Sequence, residues 1–363
     1  MKFYMPVRLM FGAEKLPEAL DGLGKSCLIA CSPRAAKSCG ALDDSLAALA
    51  AMGVKRTLFD SVSPNPRIET CMDAGRIAFD AGADFILGIG GGSAMDAAKA
   101  IAVFAANPKL DEDSFYKRQW TNEPKPIALI GTTAGTGSEV TMVSVLTDSI
   151  GRKHSIHDER LYARVALSDT RYLSAMPKAL AISTGIDALS HCLESFFSKK
   201  ADALSRAQAM QGAALLLKPL KSALAGTLTP EEIKTLYAGS ILGGLAINST
   251  GTCFPHNLGY FLTERFALAH GTASAAFLEG LLEFEAEVNP DLSLELYKRI
   301  GTEKEQLIHL IRSALDLNGI RLDMQELERI LPRWENNSSV KNTLGDIGQD
   351  RIRQCFMKFV LEG

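Results

Sequence analysis

Four side chains able to bind a divalent metal stand in three short motifs of this 363-residue chain. Asp187 and His191 lie in G-I-D-A-L-S-H (185–191), His256 in F-P-H-N-L-G-Y (254–260) and His270 in A-H-G (269–271). Imidazole and carboxylate are donors that first-row divalent ions take, and four of them suit a tetrahedral or slightly expanded site. Asp187 and His191 are four residues apart in a segment that reads as helix, so both leave the same face one turn apart. A single histidine such as His191 is more simply read as a satisfied core residue. In a chain with only six histidines, the joint pattern reverses that reading. His154 and His157 fall in the polar stretch 152–159 and are expected at the surface, and His309 in L-I-H-L-I-R is assigned no role.

A second chemistry lies upstream, in two glycine loops. The apolar run Asp84–Ile89 leads into Gly90, Gly91, Gly92 and Ser93 and then a helical stretch. A glycine turn between strand and helix lets a phosphate approach the backbone, where the helix N-terminus supplies free N–H groups. Gly88 and Gly90 fit G-x-G-x-x-G, but Ser93 takes the place of the third glycine, and a purely structural turn explains this loop equally well by itself. The run Ile127–Ile130 ends in G-T-T-A-G-T-G-S-E (131–139), where Thr132, Thr133 and Thr136 offer hydroxyls beside small residues. Two such loops at strand ends favour a ligand over a polar linker. Asp96 is expected to serve the first turn of its helix and its packing rather than the chemistry.

The elements that must carry these residues divide the chain in two. Up to about Asp169, short apolar runs alternate with helical stretches: strands at 27–31, 55–59, 84–89 and 126–130, helices at 35–53, 68–81 and 94–106. Such alternation implies parallel strands with crossover helices. Beyond it the strand-like runs vanish, and helices are predicted over 178–198, 203–224, 231–248 and 272–287. The expected architecture is an α/β, Rossmann-like dinucleotide-binding domain over residues 1–172 and an all-α domain over 173–363. The polar stretch 111–125 reads as a surface excursion. With 47% hydrophobic and 22% charged residues and a net charge of −3, nothing marks a nucleic-acid or membrane-surface binder. No apolar run approaches the roughly 20 residues of a membrane span, and the N-terminus lacks the apolar core of a secretory signal. The seven cysteines are scattered and form no Cys-x-x-Cys pair, which points to reduced thiols and a cytoplasmic protein.

Taken together, the motifs resemble the iron-containing, or group III, alcohol dehydrogenases. The resemblance runs nearly full length: P-N-P (64–66), G-G-G-S-x-x-D-x-A-K (90–99), T-T-A-G-T-G-S-E (132–139), G-x-D-A-L-x-H (185–191) and the two later histidines. It implies an architecture like that of dehydroquinate synthase, and a homodimer. It also implies that Asp187, His191, His256 and His270 ligate a divalent ion, Fe2+ or Zn2+. Gly90, Gly91, Gly92 and Ser93 would take the pyrophosphate of NAD or NADP. Thr132, Thr133 and Thr136 would line its ribose and nicotinamide, with Lys153, placed just after a hairpin, approaching the cofactor. The implied reaction is hydride transfer between nicotinamide and a small alcohol or aldehyde, with the ion as Lewis acid.

Two positions depart from the family pattern. Relatives usually carry a proton-relaying histidine four residues after the third ligand, where this chain has Tyr260. A phenol donates a hydrogen bond but titrates near pH 10, so Tyr260 reads either as a catalytic hydroxyl or as packing against Phe254 and Phe261. At the end of the first predicted strand, NAD-preferring relatives carry an acid for the adenosine ribose. Here Ser32 stands there with Arg34 close by, which leaves NAD and NADP both open. Phe254, Phe261 and Tyr260 suggest an apolar pocket for short aliphatic alcohols, and the segment 342–348 is a further candidate to reach it. Two alternatives stay open: a metal- and NAD-using lyase like dehydroquinate synthase, and a catalytically silent nucleotide- or metal-binding homologue.

Overall fold

The short apolar runs of the first half form one six-stranded parallel sheet in the computed structural model of the chain, which describes residues 3–360. Its strands are β1 (Arg8–Phe11), β2 (Ser26–Cys31), β3 (Lys55–Phe59), β4 (Phe85–Gly90), β5 (Ile127–Gly131) and, after the antiparallel hairpin β6 (Val143–Thr147) and β7 (Lys153–His157), β8 (Val165–Ser168). Across the sheet they run β1-β8-β5-β4-β2-β3. β4, β5 and β8 are buried along their whole length, because helices cover both faces and uninterrupted apolar text such as F-I-L-G-I-G is what two-sided burial demands. Side chains alternate between two cores. Leu28, Ile86 and Leu129 pack with Cys71, Ile101 and Phe104 on one face. Ile29, Leu87 and Ile130 pack with Leu16, Leu42 and Leu49 on the other.

The alternation expected from sequence holds for β2 to β5, while β1 and β8 are additions. Both are only four residues long, too short to carry a periodic signal. The single helix expected over 35–53 is two, Ala35–Ser38 and Ala41–Ala51, separated by Gly40 at φ 84°. The stretch 111–125 is not wholly a surface excursion: it folds a short helix, Glu112–Tyr116, and buries Phe115 and Trp120 in the core.

Sheet order locates a binding crevice before any side chain is considered. From β2 the chain moves outward to β3, whereas from β4 it moves the opposite way, to β5. Ligands of open α/β sheets bind outside the carboxyl ends of the strands at such a reversal. Here that place is the ends of β2 and β4, where Ser32 and Gly90–Ser93 lie.

The chain divides into two units, one of Phe3–Pro177 with Thr229–Tyr237 and one of Lys178–Leu228 with Ala238–Gly363. The first therefore extends past the expected end at residue 172 and takes in a second segment. Tyr237 accounts for that segment: its ring lies 5.8 Å from Phe11, and its hydroxyl interacts with Glu139 and Ser168. The second unit is helical, built on Lys178–Phe196, Ala203–Ala225, the part of Pro230–Thr250 from Ala238 on, Phe254–Phe266, His270–Ala275 and Leu278–Val288 with shorter helices after them. Among the described residues beyond Ser168, extended pairing is confined to isolated bridges. The helix predicted over 272–287 breaks in two at Ala276–Phe277, and Phe254–Phe266 is a helix that periodicity did not single out. No described helix is long and apolar enough to cross a membrane, and all seven cysteines are free.

Candidate active site

In the first unit, register brings the two glycine loops together. Gly90 at the end of β4 pairs with Gly131 at the end of β5, and the Thr132 N–H donates to the Gly90 carbonyl at 3.0 Å. Beyond that pair the loops touch face to face. A Cβ on Gly91 would come within 2.9 Å of Thr133, and one on Gly92 within 2.5 Å of Thr136 Cγ2. Gly92 opens the helix Gly92–Ala106, and its N-cap Gly91 offers no side-chain cap, so backbone N–H groups at this end are left for another acceptor. Thr132 and Thr133 are buried and Thr136 is half-buried. The Ser93 Oγ accepts from the Asn65 N–H at 3.3 Å, which ties the P-N-P turn to the loop. Ser32 follows β2 with its Oγ buried and unbonded, while Arg34 is exposed.

Asp96 acts on tertiary structure rather than on its own first turn. Its carboxylate accepts from Ser138 Oγ at 2.6 Å and from the Val145 N–H at 3.0 Å, joining the helix to the threonine loop and to β6. Lys99, one turn on, is fully buried and donates to Ser138, Thr141 and the Val143 carbonyl. Burial pulls its ammonium down to about 8 against the pull of Asp96 and Glu139. Lys153 begins β7 opposite Thr147, inside the hairpin rather than after it, and acts electrostatically on Asp96.

In the second unit, three of the four predicted metal donors, Asp187, His256 and His270, form one cluster, with His191 beside it. His191, His256 and His270 place Nε2 at 4.0, 3.5 and 3.7 Å from Asp187 Oδ1. Donor atoms of Asp187, His256 and His270 all lie within 4.8 Å of one another, and the His191 ring stacks on His256 with centroids 4.7 Å apart. Donors bonded at about 2.1 Å to a tetrahedral ion stand roughly 3.4 Å apart, so the spacing fits a small divalent ion. Asp187 Oδ1 and His256 Nε2 are buried without a hydrogen-bond partner, which an ion among them would supply. The residues fit the metal.

Close helix crossings produce this convergence. A Cβ on Gly271 would lie 1.9 Å from the Ser183 carbonyl oxygen and 2.9 Å from Asp187 Cβ, so only glycine lets His270–Ala275 pack against Lys178–Phe196 and deliver His270. Gly259 does the same between Phe254–Phe266 and His270–Ala275. Ala267 turns the chain between these helices at φ 54°, a left-handed conformation that alanine adopts at a cost of about 1–2 kcal/mol.

A model of the iron-containing alcohol dehydrogenase family matches residues 6–170, and one of the Fe-containing alcohol dehydrogenase C-terminal region matches 181–324. Lactaldehyde reductase of Escherichia coli (strain K12) is 30% identical over 270 residues, 74% of this chain and 70% of that protein. NADPH-dependent butanol dehydrogenase of Clostridium saccharobutylicum is 27% identical over 327 residues, 88% of this chain and 84% of that one. The solved structure of an iron-containing alcohol dehydrogenase from Thermotoga maritima matches with a TM-score of 0.91 at 32% identity, covering 98% of each chain. The chain belongs to the iron-containing alcohol dehydrogenases. Its activity is accordingly that of an alcohol dehydrogenase or aldehyde reductase linked to a nicotinamide cofactor.

Around the metal donors of this dehydrogenase, three sequence readings change. Phe254 and Phe261 do not line a pocket; both are buried, and Phe261 meets Phe266, Trp334 and Phe356 edge-on in the core. Tyr260 stacks on His270, centroids 5.7 Å apart, from the helix face it shares with His256 rather than the one shared by Phe254 and Phe261. The segment 342–348 braces rather than lines: Asn342 Nδ2 donates to the Thr250 and Thr252 carbonyls, and Thr343 Oγ1 accepts from the Phe254 N–H. His154 and His157 are exposed, as expected, and His309 is exposed as well.

Glu194 is the residue that sequence reading passed over. It is fully buried, its Oε1 meets His256 Nδ1, and its Oε2 accepts the backbone N–H groups of Cys253 at 2.8 Å and His256 at 3.4 Å. The signal was present: 187, 191 and 194 follow the i, i+4, i+7 spacing of one helix face. Burial raises the Glu194 carboxyl, opposed by His256. Burial would also raise Asp187, but His191, His270 and His256 outweigh it and hold that carboxyl well below the usual carboxylate range.

Proposed function

We propose that this enzyme interconverts small alcohols and aldehydes at a divalent ion held by Asp187, His191, His256 and His270. One observation carries the reading: three imidazole nitrogens converge on one buried aspartate oxygen that has no hydrogen-bond partner. Bound there, the ion supplies Lewis acidity toward the alcohol or aldehyde oxygen, and the nicotinamide gives or takes hydride. The chain's own residues do the rest. Asp187 offsets the ion's charge in a setting of little water, the imidazoles present neutral nitrogen donors, and Tyr260, beside His270, offers a phenolic hydroxyl to the substrate oxygen. Gly90, Gly91, Gly92 and Ser93 hold the pyrophosphate, and Thr132, Thr133 and Thr136 border the ribose and nicotinamide, with Lys153 toward the cofactor.

The metal is Fe2+ in this reading, with Zn2+ satisfied by the same donors. NADP(H) is the favoured cofactor, since Ser32 brings no carboxylate to repel a 2′-phosphate and Arg34 is free to attract one. The enzyme is a cytoplasmic homodimer; seven free thiols suit a reducing compartment. Absorbance at 340 nm with NADH and NADPH, over a panel of short alcohols and aldehydes, tests the whole reading together with metal analysis. Turnover faster with NADPH and lost on chelator dialysis is expected. Full turnover in metal-stripped enzyme would overturn the metal's role, and carbocycle formation without net cofactor change would select a lyase instead.

A further inference from the structure

We propose that Glu194 is the positioning residue that turns His256 toward the metal. The inference rests on the metal reading above and adds a residue to it. A neutral imidazole has one N–H and one lone pair, and a carboxylate at one nitrogen fixes the proton there. The Glu194 carboxylate meets His256 at Nδ1, so Nε2 is left as the lone-pair nitrogen. That nitrogen is the one buried without a hydrogen-bond partner, 3.5 Å from Asp187 Oδ1. Ring orientation and tautomer are thus both set by one side chain.

Glu194 also does structural work. Cys253, the N-cap of Phe254–Phe266, provides no side-chain cap, and Glu194 Oε2 accepts the N–H groups of Cys253 and His256 in its place. A carboxylate needed only as a cap would have no reason to hold Nδ1 with its second oxygen.

The test is Co2+ binding to the full-length protein by competition with a chromophoric chelator, in wild type, Glu194→Gln and Glu194→Ala. Glutamine keeps the size and one acceptor oxygen but removes the charge; alanine removes everything. Circular dichroism and NADPH binding identify the folded variants. Affinity is expected to fall about 10- to 100-fold in Glu194→Gln and further in Glu194→Ala. In the Zn2+-loaded wild type, 15N NMR of the histidine side chains should show His256 carrying its proton on Nδ1, a readout that needs no variant to fold. A folded Glu194→Gln protein that binds Co2+ as wild type does, or a wild-type His256 protonated at Nε2, overturns the proposal and leaves Glu194 as a helix cap. Wild type that takes up no Co2+ overturns the metal reading itself, and this inference with it.

Discussion

At the scale of single residues, the site rests on few groups with large individual effects. Asp187 is the oxygen on which three histidines converge, so Asp187→Ala leaves them without their common anchor. Loss of tight metal binding and a fall of at least about 10³-fold in kcat/KM are expected, given the several kcal/mol that a Lewis acid contributes. His270→Ala should behave alike, and a metal-replete, active variant of either would refute the ligand assignment. Tyr260 is a finer question. If its hydroxyl serves the substrate oxygen, Tyr260→Phe lowers kcat about tenfold or more with metal content unchanged. Tyr260→His should bring a new pH dependence near the imidazole range, about 6.5. A Tyr260→Phe enzyme with wild-type kcat would assign the ring to stacking on His270 alone.

Elements matter through how closely they approach. Two loops far apart in sequence become one surface because Gly90 and Gly131 are register partners on adjacent strands. Their contact leaves no room for a methyl group at residue 92, where Thr136 would be 2.5 Å away. Gly92→Ala should therefore push the threonine loop aside, costing about 1–3 kcal/mol of stability by overpacking. Because that loop and the helix N-terminus are the proposed cofactor cradle, NADPH affinity should fall about tenfold or more, roughly the effect of 1.4 kcal/mol. Titration of intrinsic fluorescence with NADPH reads this directly, and wild-type affinity would place the cofactor elsewhere. The element pattern itself was legible from sequence wherever a run was long enough. β2 to β5 and the long helices follow from periodicity, whereas β1 and β8, four residues each, take their identity from the partners they pair with.

For the molecule as a whole, stability depends on buried acids, one in each unit. Burial raises Glu139 in the first unit and Glu285 in the second, each to about 7. An unfolded glutamate titrates near 4.3, so between there and pH 7 the folded chain holds more protons than the unfolded chain. Stability from these groups is full below that window and is lost as pH rises through it. Glu139→Gln and Glu285→Gln should each raise Tm by a few degrees at about pH 7.5 and flatten its decline from about pH 5. Calorimetry that finds the same pH slope in both variants and the wild type would show that neither acid is protonated in the fold. The sequence by itself determined the donor types, the glycine loops, the two-part architecture and the family, because each is written in local spacing and turn chemistry. Only the tertiary structure decided that Glu194 meets His256 across 62 residues of chain, that Asp96 clamps a hairpin, and that Phe254 and Phe261 are core. Those facts depend on helix crossings and strand register between distant segments, and no local window of sequence encodes which face of one element another will cover.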